Sequence, residues 1–290
     1  MNEFLQQLIS GTAVGCVYAL VALGFVLIYK ATDVVNFAHG EVMMIGAFLG
    51  LTFIDVLHFP YWLAVLAAVA CMTVFGALLN RFLLRPLAGQ GILAVIVVTL
   101  GLSILLRAFA SVIWGPETFP LESPFSRQTL RMGELVLSEE HLAIIVLTAV
   151  LVAALYAFFR FSRVGIAMQA TSENQLAAYY VGIPVTAIHS MIWALGAAIA
   201  GVAGIMLAPI SFVHVNMGFV GLKAFPAAVL GGFGSIPGAI VGGIIIGVVE
   251  SMAVLYLPEG FNNVAAYILL LVVLMVRPQG LFGIQSKRRV

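Results

Sequence analysis

Apolar runs about as long as a bilayer is thick recur along this chain, and that recurrence decides its architecture. They fall at residues 5–29, 41–56, 61–79, 92–113, 141–159, 187–210, 223–256 and 264–276. In hydrocarbon every backbone N–H and C=O needs an internal partner, so only helices and closed barrels cross. A barrel would alternate polar and apolar residues along each strand. These runs are continuously apolar, so the reading is all-α: one transmembrane domain over residues 1–290, a polytopic bundle of about eight or nine membrane segments. Only 9% of the residues are charged, against about 25% in soluble domains.

The run at 223–256 is too long for one simple crossing. As a helix it would reach about 50 Å against a hydrocarbon core of about 30 Å. Gly231, Gly232, Gly234 and Pro237 interrupt it. It is therefore expected to split into a segment at 223–230, a break at 231–237 and a helix at 238–256. A second interruption, DVVNFAHG at 33–40 followed by Glu41, separates the first two runs. Both interruptions are candidates for broken or re-entrant structure, tolerated at membrane depth only inside protein or beside water. A surface loop and a tight turn are the plainer alternatives.

Charge sets the expected orientation. Lys30, Arg81, Arg85, Arg160, Arg163, Arg277, Lys287, Arg288 and Arg289 occupy short connections or the C-terminus, nine of the thirteen basic residues. Placed together on the cytoplasmic side they satisfy the positive-inside rule. The connection 114–140, with Glu117, Glu122, Glu134, Glu139 and Glu140 against Arg127 and Arg131, is then outside. Alternating crossings put the N-terminus outside. The C-terminus is inside if the split run forms a hairpin. No basic cluster larger than the terminal three is present, so nucleic acid is not an expected partner; membrane lipid is.

Small residues spaced four apart, Gly11 and Gly15, Gly46 and Gly50, Gly238 and Gly242, Gly243 and Gly247, are expected to let helix backbones approach closely. Cys16 and Cys71 stand in different apolar runs and read as packing residues.

Among polar segments, TSENQLAAYYVGIP at 171–184 stands out, preceded by Arg160 and Arg163. Ser172 can cap a helix, with Gln175 three residues on completing a capping box. Gly182 suits a left-handed C-terminal position, and Pro184 cannot continue a helix. Such a helix, two to three turns long, needs a surface to pack on. Ala177, Ala178 and Gly182 are expected to leave it a small-residue face that a soluble partner could approach. A plain connecting loop is the alternative. Two ionisable residues lie inside apolar runs: Arg107, which can snorkel outward, and Glu250, which can pair or face the outer surface. His39 reads as structural or as a proton relay.

No GxxxxGK[ST] phosphate loop occurs, and no HExxH, GxSxG or DFG set. The chain is therefore expected not to be an enzyme, and any energy must come from an ion gradient or another subunit. An ion-coupled transporter would use His39, Glu41 or Glu250; a passive channel would use two re-entrant segments.

Three segments carry a resemblance: NFAHGEVMMIG at 36–46, SRVGIAMQATSENQLAAYYVGIP at 162–184 and KAFPAAVLGGFGSIPGAIVGG at 223–243. With essentially the whole chain, they resemble the LivH-type permease subunits of bacterial branched-chain amino acid ABC importers. Within 160–184, Ala177-Ala178-x-x-x-Gly182 is similar to the loop by which such permeases fit a cleft on the ATPase. The usual form has Glu directly before the two alanines; here Leu176 stands there and Glu173 lies upstream.

The resemblance implies an inner-membrane permease with a paralogous permease partner, two cytoplasmic ABC ATPases carrying ATP and Mg, and a periplasmic or extracellular binding protein. It implies uptake of a branched-chain or related small amino acid by alternating access; relatives that import urea or short amides are the alternative. Arg163, Ser172, Glu173, Asn174, Ala177, Ala178 and Gly182 are the expected ATPase-coupling residues. Asn36, Phe37, His39, Glu41, Met44, Gly231, Gly232, Gly234 and Ser235 are the expected substrate path.

Overall fold

A computed structural model of the chain describes residues 2–87, 89–125, 129–132, 135–258 and 260–283. Arg127, Glu134, Lys287, Arg288 and Arg289, used above for orientation, lie outside these. The described residues form eleven α-helices: α1 (Asn2–Thr32), α2 (His39–Leu51), α3 (Tyr61–Leu79), α4 (Ile92–Trp114), α5 (Glu139–Phe161), α6 (Arg163–Glu173), α7 (Gln175–Tyr180), α8 (Val185–Ser211), α9 (Val220–Gly231), α10 (Ile236–Tyr256) and α11 (Phe261–Val276). Seven apolar helical stretches among these residues are long enough to cross a bilayer; α9 with its preceding turn, and α11, are shorter. The chain is a polytopic helical membrane protein. The connection 114–140 holds the only strands among the described residues, a short antiparallel hairpin of β1 (Thr129–Met132) and β2 (Leu135–Ser138).

Helices α1 and α8 are mostly buried and form the centre, while α3, α4 and α5 turn most of their apolar surface outward. That division follows from composition. Gly11, Gly15 and Ala19 let α1 lie against Gly243, Gly247 and Ser251 of the antiparallel α10. A methyl group added at Gly11 would come within 2.6 Å of Ser251 Cβ, and one at Gly15 within 2.8 Å of Ile244 Cα. Gly46 meets Gly201 of α8 in the same way, and Gly204 meets Met43. Without a hydrophobic force between helices in lipid, this close approach is what holds the pairs together. The glycine spacing read from the sequence thus marks helix contacts within the chain.

The expected split of 223–256 is observed. Helices α9 and α10 form a hairpin whose turn spans residues 232–235. Gly232, at φ +98°, takes a conformation few other residues tolerate. Ser235 caps α10 by accepting from the Gly238 N–H at 3.1 Å. The segment after α11 folds back over this turn, Leu281 N–H donating to Leu230 O at 2.8 Å.

The two ends of the bundle differ in charge. Lys30, Arg81, Arg85, Arg160, Arg163 and Arg277 close helices or begin them at one end. That end is tied together by Tyr29 against Phe233 and by Gln175 Nε2 donating to Ala31 O. The other end holds Glu3, Asp55, Glu117, Glu122, Glu139 and Glu140. There Trp114 Nε1 donates to Thr52 Oγ1, and Phe119 pairs with Val213. These are the basic and acidic ends of the bundle.

Candidate functional site

Two regions contain the residues singled out by sequence. One lies inside the bundle, where α2 begins. From Thr32 the chain does not leave the membrane end; residues 33–38 turn back alongside α1. Asp33, at φ +54°, makes the reversal. His39, the first residue of α2, sits against Gly24 and against the Phe25 ring at 4.8 Å between centroids. Gly24 lies eight residues before the end of α1, about 12 Å of helix, so α2 starts within the membrane span, toward its basic end. Asn36 is buried and its Oδ1 accepts from the Ala38 N–H at 3.1 Å, replacing the helix bonds this stretch lacks. His39 is fully buried, and both ring nitrogens lack a hydrogen-bond partner among the described residues.

A second non-helical stretch meets this start. After α8, residues 212–216 and the 3₁₀ turn Met217–Phe219 lead into α9. Gly218 and Gly221 pack on Gly40 so closely that no side chain would fit between them. Helix α9 has twelve residues, about 18 Å, so its start is also within the membrane. The apolar pattern assigns nothing to 211–222, where polar His214 and Asn216 are the available signal; in the structure Phe212 takes φ +59°.

Around this junction are two ion pairs. Arg107 of α4 donates to Glu41 Oε1, and its guanidinium lies over the Phe219 ring at 4.1 Å. It does not snorkel outward. Lys223 of α9 donates to Glu250 Oε1, whose other oxygen accepts from Tyr18 OH at 2.7 Å. Glu250 therefore joins α1, α9 and α10 and does not face the outer surface.

The remaining expected path residues divide. Met44 is fully buried in the core. Phe37 meets Phe225 at 5.8 Å, Phe225 meets Phe233 at 5.5 Å, and Phe233 meets Tyr29 at 4.8 Å. This aromatic chain runs from the junction to the α9–α10 turn. Gly231, Gly232, Gly234 and Ser235 lie at that turn, at the basic end, apart from Asn36, His39 and Glu41, with those rings between them. The break at depth that meets Glu41 is 212–219, not 231–237.

The second region is an arm at the basic end formed by α6 and α7. Ser162, between Phe161 and Arg163, caps α6 by accepting from the Gly165 N–H at 2.9 Å. The expected cap at Ser172 is not formed. Helix α6 runs through Ser172 to Glu173, and the Ser172 hydroxyl donates to Met168 O at 2.8 Å. Asn174 is the cap of α7, accepting from the Ala177 N–H at 2.9 Å. Both residues are good caps; once the helix includes Ser172 its hydroxyl satisfies the carbonyl four residues back, and the break falls at Asn174.

The C-terminus of α7 is as expected. Gly182 has φ +86°, Ile183 N–H donates to Ala178 O, and Gly182 N–H donates to Tyr179 O, the paired bonds of a Schellman end. The small-residue face is only partly presented. Ala178 is buried against the chain, whereas Leu176, Ala177, Tyr179, Tyr180, Val181 and Gly182 are exposed. A cleft of about 340 Å³ opens at the basic end, lined by Asp33, Asn80, Arg85, Gln175 and His189 among others.

Residues 7–276 match the family model described as "Branched-chain amino acid transport system / permease component". The chain is 35% identical over 294 residues to the high-affinity branched-chain amino acid transport system permease protein LivH of Salmonella typhimurium, covering 97% of this chain and 96% of that one. It is 34% identical to LivH of Escherichia coli (strain K12), with the same coverage. It is also 34% identical over 297 residues to the permease protein BraD of Pseudomonas aeruginosa, again covering 97% and 96%. With a family model spanning nearly the whole chain and relatives above 30% identity end to end, this chain belongs to the branched-chain amino acid transport system permease family.

Proposed function

We propose that this chain is one permease subunit of an ATP-driven importer that moves branched-chain amino acids across the bacterial inner membrane by alternating access. It works beside a second, paralogous permease, two cytoplasmic ATPases that bind ATP and Mg, and a soluble binding protein outside. The observation that carries the reading is the arm. An exposed apolar ridge of Leu176, Tyr179, Tyr180 and Val181 stands on a two-turn helix at the basic end. A helix that short does not hold itself together in water, and such a ridge outside the bilayer marks a protein contact. Gln175 ties the arm to the last turn of α1, and Ser162 joins it to α5. A push on α7 is thereby delivered to the central helix and to the segment that turns inward at Asp33.

In this reading the basic end is cytoplasmic, with the N-terminus outside and the C-terminus inside, as the positive-inside rule favours. The arm at 160–184 is the ATPase contact, and Arg163, Glu173 and Asn174 lie along it. The hairpin in 114–140 faces the binding protein. Substrate passes the junction of α2 and α9, and the outward apolar faces of α3, α4 and α5 meet lipid or the second permease. The chain contributes no hydrolytic chemistry.

Gly182→Asp tests the arm. No atom lies within 4 Å of where the new Cβ would be, and Asp tolerates the left-handed region at a cost of about 1 kcal/mol. The variant should therefore insert and fold, yet its carboxylate would stand in the docked surface. The expected result is a loss of uptake with normal amounts of protein in the membrane. Normal uptake with the ATPases still co-purifying removes the coupling role.

A further inference from the structure

We infer that Glu41 and Arg107 form the site within this permease that receives the charged end of a zwitterionic amino acid, Arg107 taking its carboxylate and Glu41 its ammonium group. The inference rests on the transport reading above and adds to it a ligand set.

The two ion pairs at the junction are not equivalent. Glu250 has a partner on each oxygen, Lys223 and Tyr18. Lys223 is a compact ammonium without the planar fork of a guanidinium. That cluster ties three helices and uses both carboxylate oxygens, with the Lys223 side chain 25% exposed. The Glu41–Arg107 pair is open. Arg107 has five N–H donors in a planar fork built for a carboxylate, and a single bond to Glu41 Oε1 is its hydrogen bond to a described residue. Its Nε is buried without a partner among the described residues. Its side chain is 29% exposed, while that of Glu41 is 5% exposed. The guanidinium is thus only partly covered by the bundle and has donors to spare.

Position points the same way. Arg107 is seven residues from the end of α4, about 10 Å of helix, within the hydrocarbon span. A part-exposed guanidinium there cannot face lipid cheaply, so its open side borders a subunit contact or a wet path. Glu41 lies in the first turn of α2, at the level where two non-helical stretches meet and Gly40 touches Gly218 and Gly221. Phe219, exposed and in contact with the guanidinium, offers an apolar wall for an aliphatic side chain. A zwitterion brings one charge of each sign. On entering, it separates the pair and leaves each protein charge partnered, so the site stays neutral whether empty or full. A substrate lacking either charge would leave Glu41 or Arg107 without a partner inside the membrane span.

The test uses the complete complex in proteoliposomes, with L-leucine as the probe. It reads leucine moved per ATP hydrolysed in the presence of loaded binding protein. In the double variant Glu41→Gln/Arg107→Met no charge is left unpaired, so a tie of merely structural value would be dispensable. The proposal expects leucine per ATP to fall about tenfold or more, with stimulated hydrolysis kept within about twofold. Leucine per ATP within about twofold of wild type overturns it. Should the double variant fail to assemble, Arg107→Lys decides: it keeps the charge but loses the fork. A ratio reduced about threefold or more supports the site, and an unchanged ratio overturns it. A wild-type complex that hydrolyses ATP but moves no leucine removes the transport reading itself. Wild-type transport with unaffected variants removes only this site.

Discussion

Gly243→Leu is expected to abolish assembly of the bundle. Gly243 of α10 lies against the backbone of Ala19 in α1, and a new Cβ would come within 2.6 Å of Ala19 Cβ while pressing on the Ala19 N and Cα. These are the backbone and Cβ of a residue in buried α1, so no flexible side chain can swing aside. The helices would have to separate, and Gly11, Gly15 and Gly247 would lose their contacts with the opposite helix in the same movement. Overpacking in a well-filled core costs about 1–3 kcal/mol; with backbone on both sides the effect belongs at the top of that range or beyond it. The measurement is the yield of monodisperse protein from membranes and its thermal unfolding in detergent. Gly101→Leu is the matching control. Gly101 is exposed on α4 with nothing within 4 Å of its Cβ position, and the same change there should leave both quantities near wild type. Equal behaviour of the two variants would refute close glycine packing as the source of cohesion.

Lys223→Met should be the most destabilising single charge removal. It leaves Glu250, 8% exposed, with Tyr18 alone. Removing one member of a buried pair costs about 3–5 kcal/mol, whereas replacing both is often neutral. The double variant Lys223→Met/Glu250→Leu should regain most of the loss, which a thermal-unfolding cycle over the four proteins measures. It should also keep leucine transport, unlike the double variant at Glu41 and Arg107. A single variant as stable as wild type would mean that the three-helix tie contributes nothing.

The helices were legible because each crossing is a run of apolar residues of about the length the bilayer requires, and no competing structure satisfies its backbone in lipid. The α9–α10 hairpin was legible from Gly231, Gly232, Gly234 and Pro237 for the same reason. The left-handed end at Gly182 followed from local chemistry. The start of α7 did not, because Ser172 and Asn174 are both good caps and the choice depends on how far α6 continues. The ion pairs were not legible as pairs. Glu41 and Arg107 are 66 residues apart, and Lys223 and Glu250 are 27 apart. Their meeting is set by how helices cross, which periodicity does not specify. The inward turn at Asp33 was visible as a polar interruption, but its depth was fixed only by His39 resting on Gly24. Its counterpart at 212–219 is masked in the sequence by the apolar residues that flank it.

The most direct test of the account is leucine accumulation by the complete complex in proteoliposomes whose basic end faces the ATP. Accumulation against a gradient is predicted with ATP and Mg on that side, none without them, and none with hydrolysis-dead ATPase subunits. Leucine flux through this chain without ATP, or uptake that collapses with an uncoupler while ATP is held constant, would contradict it.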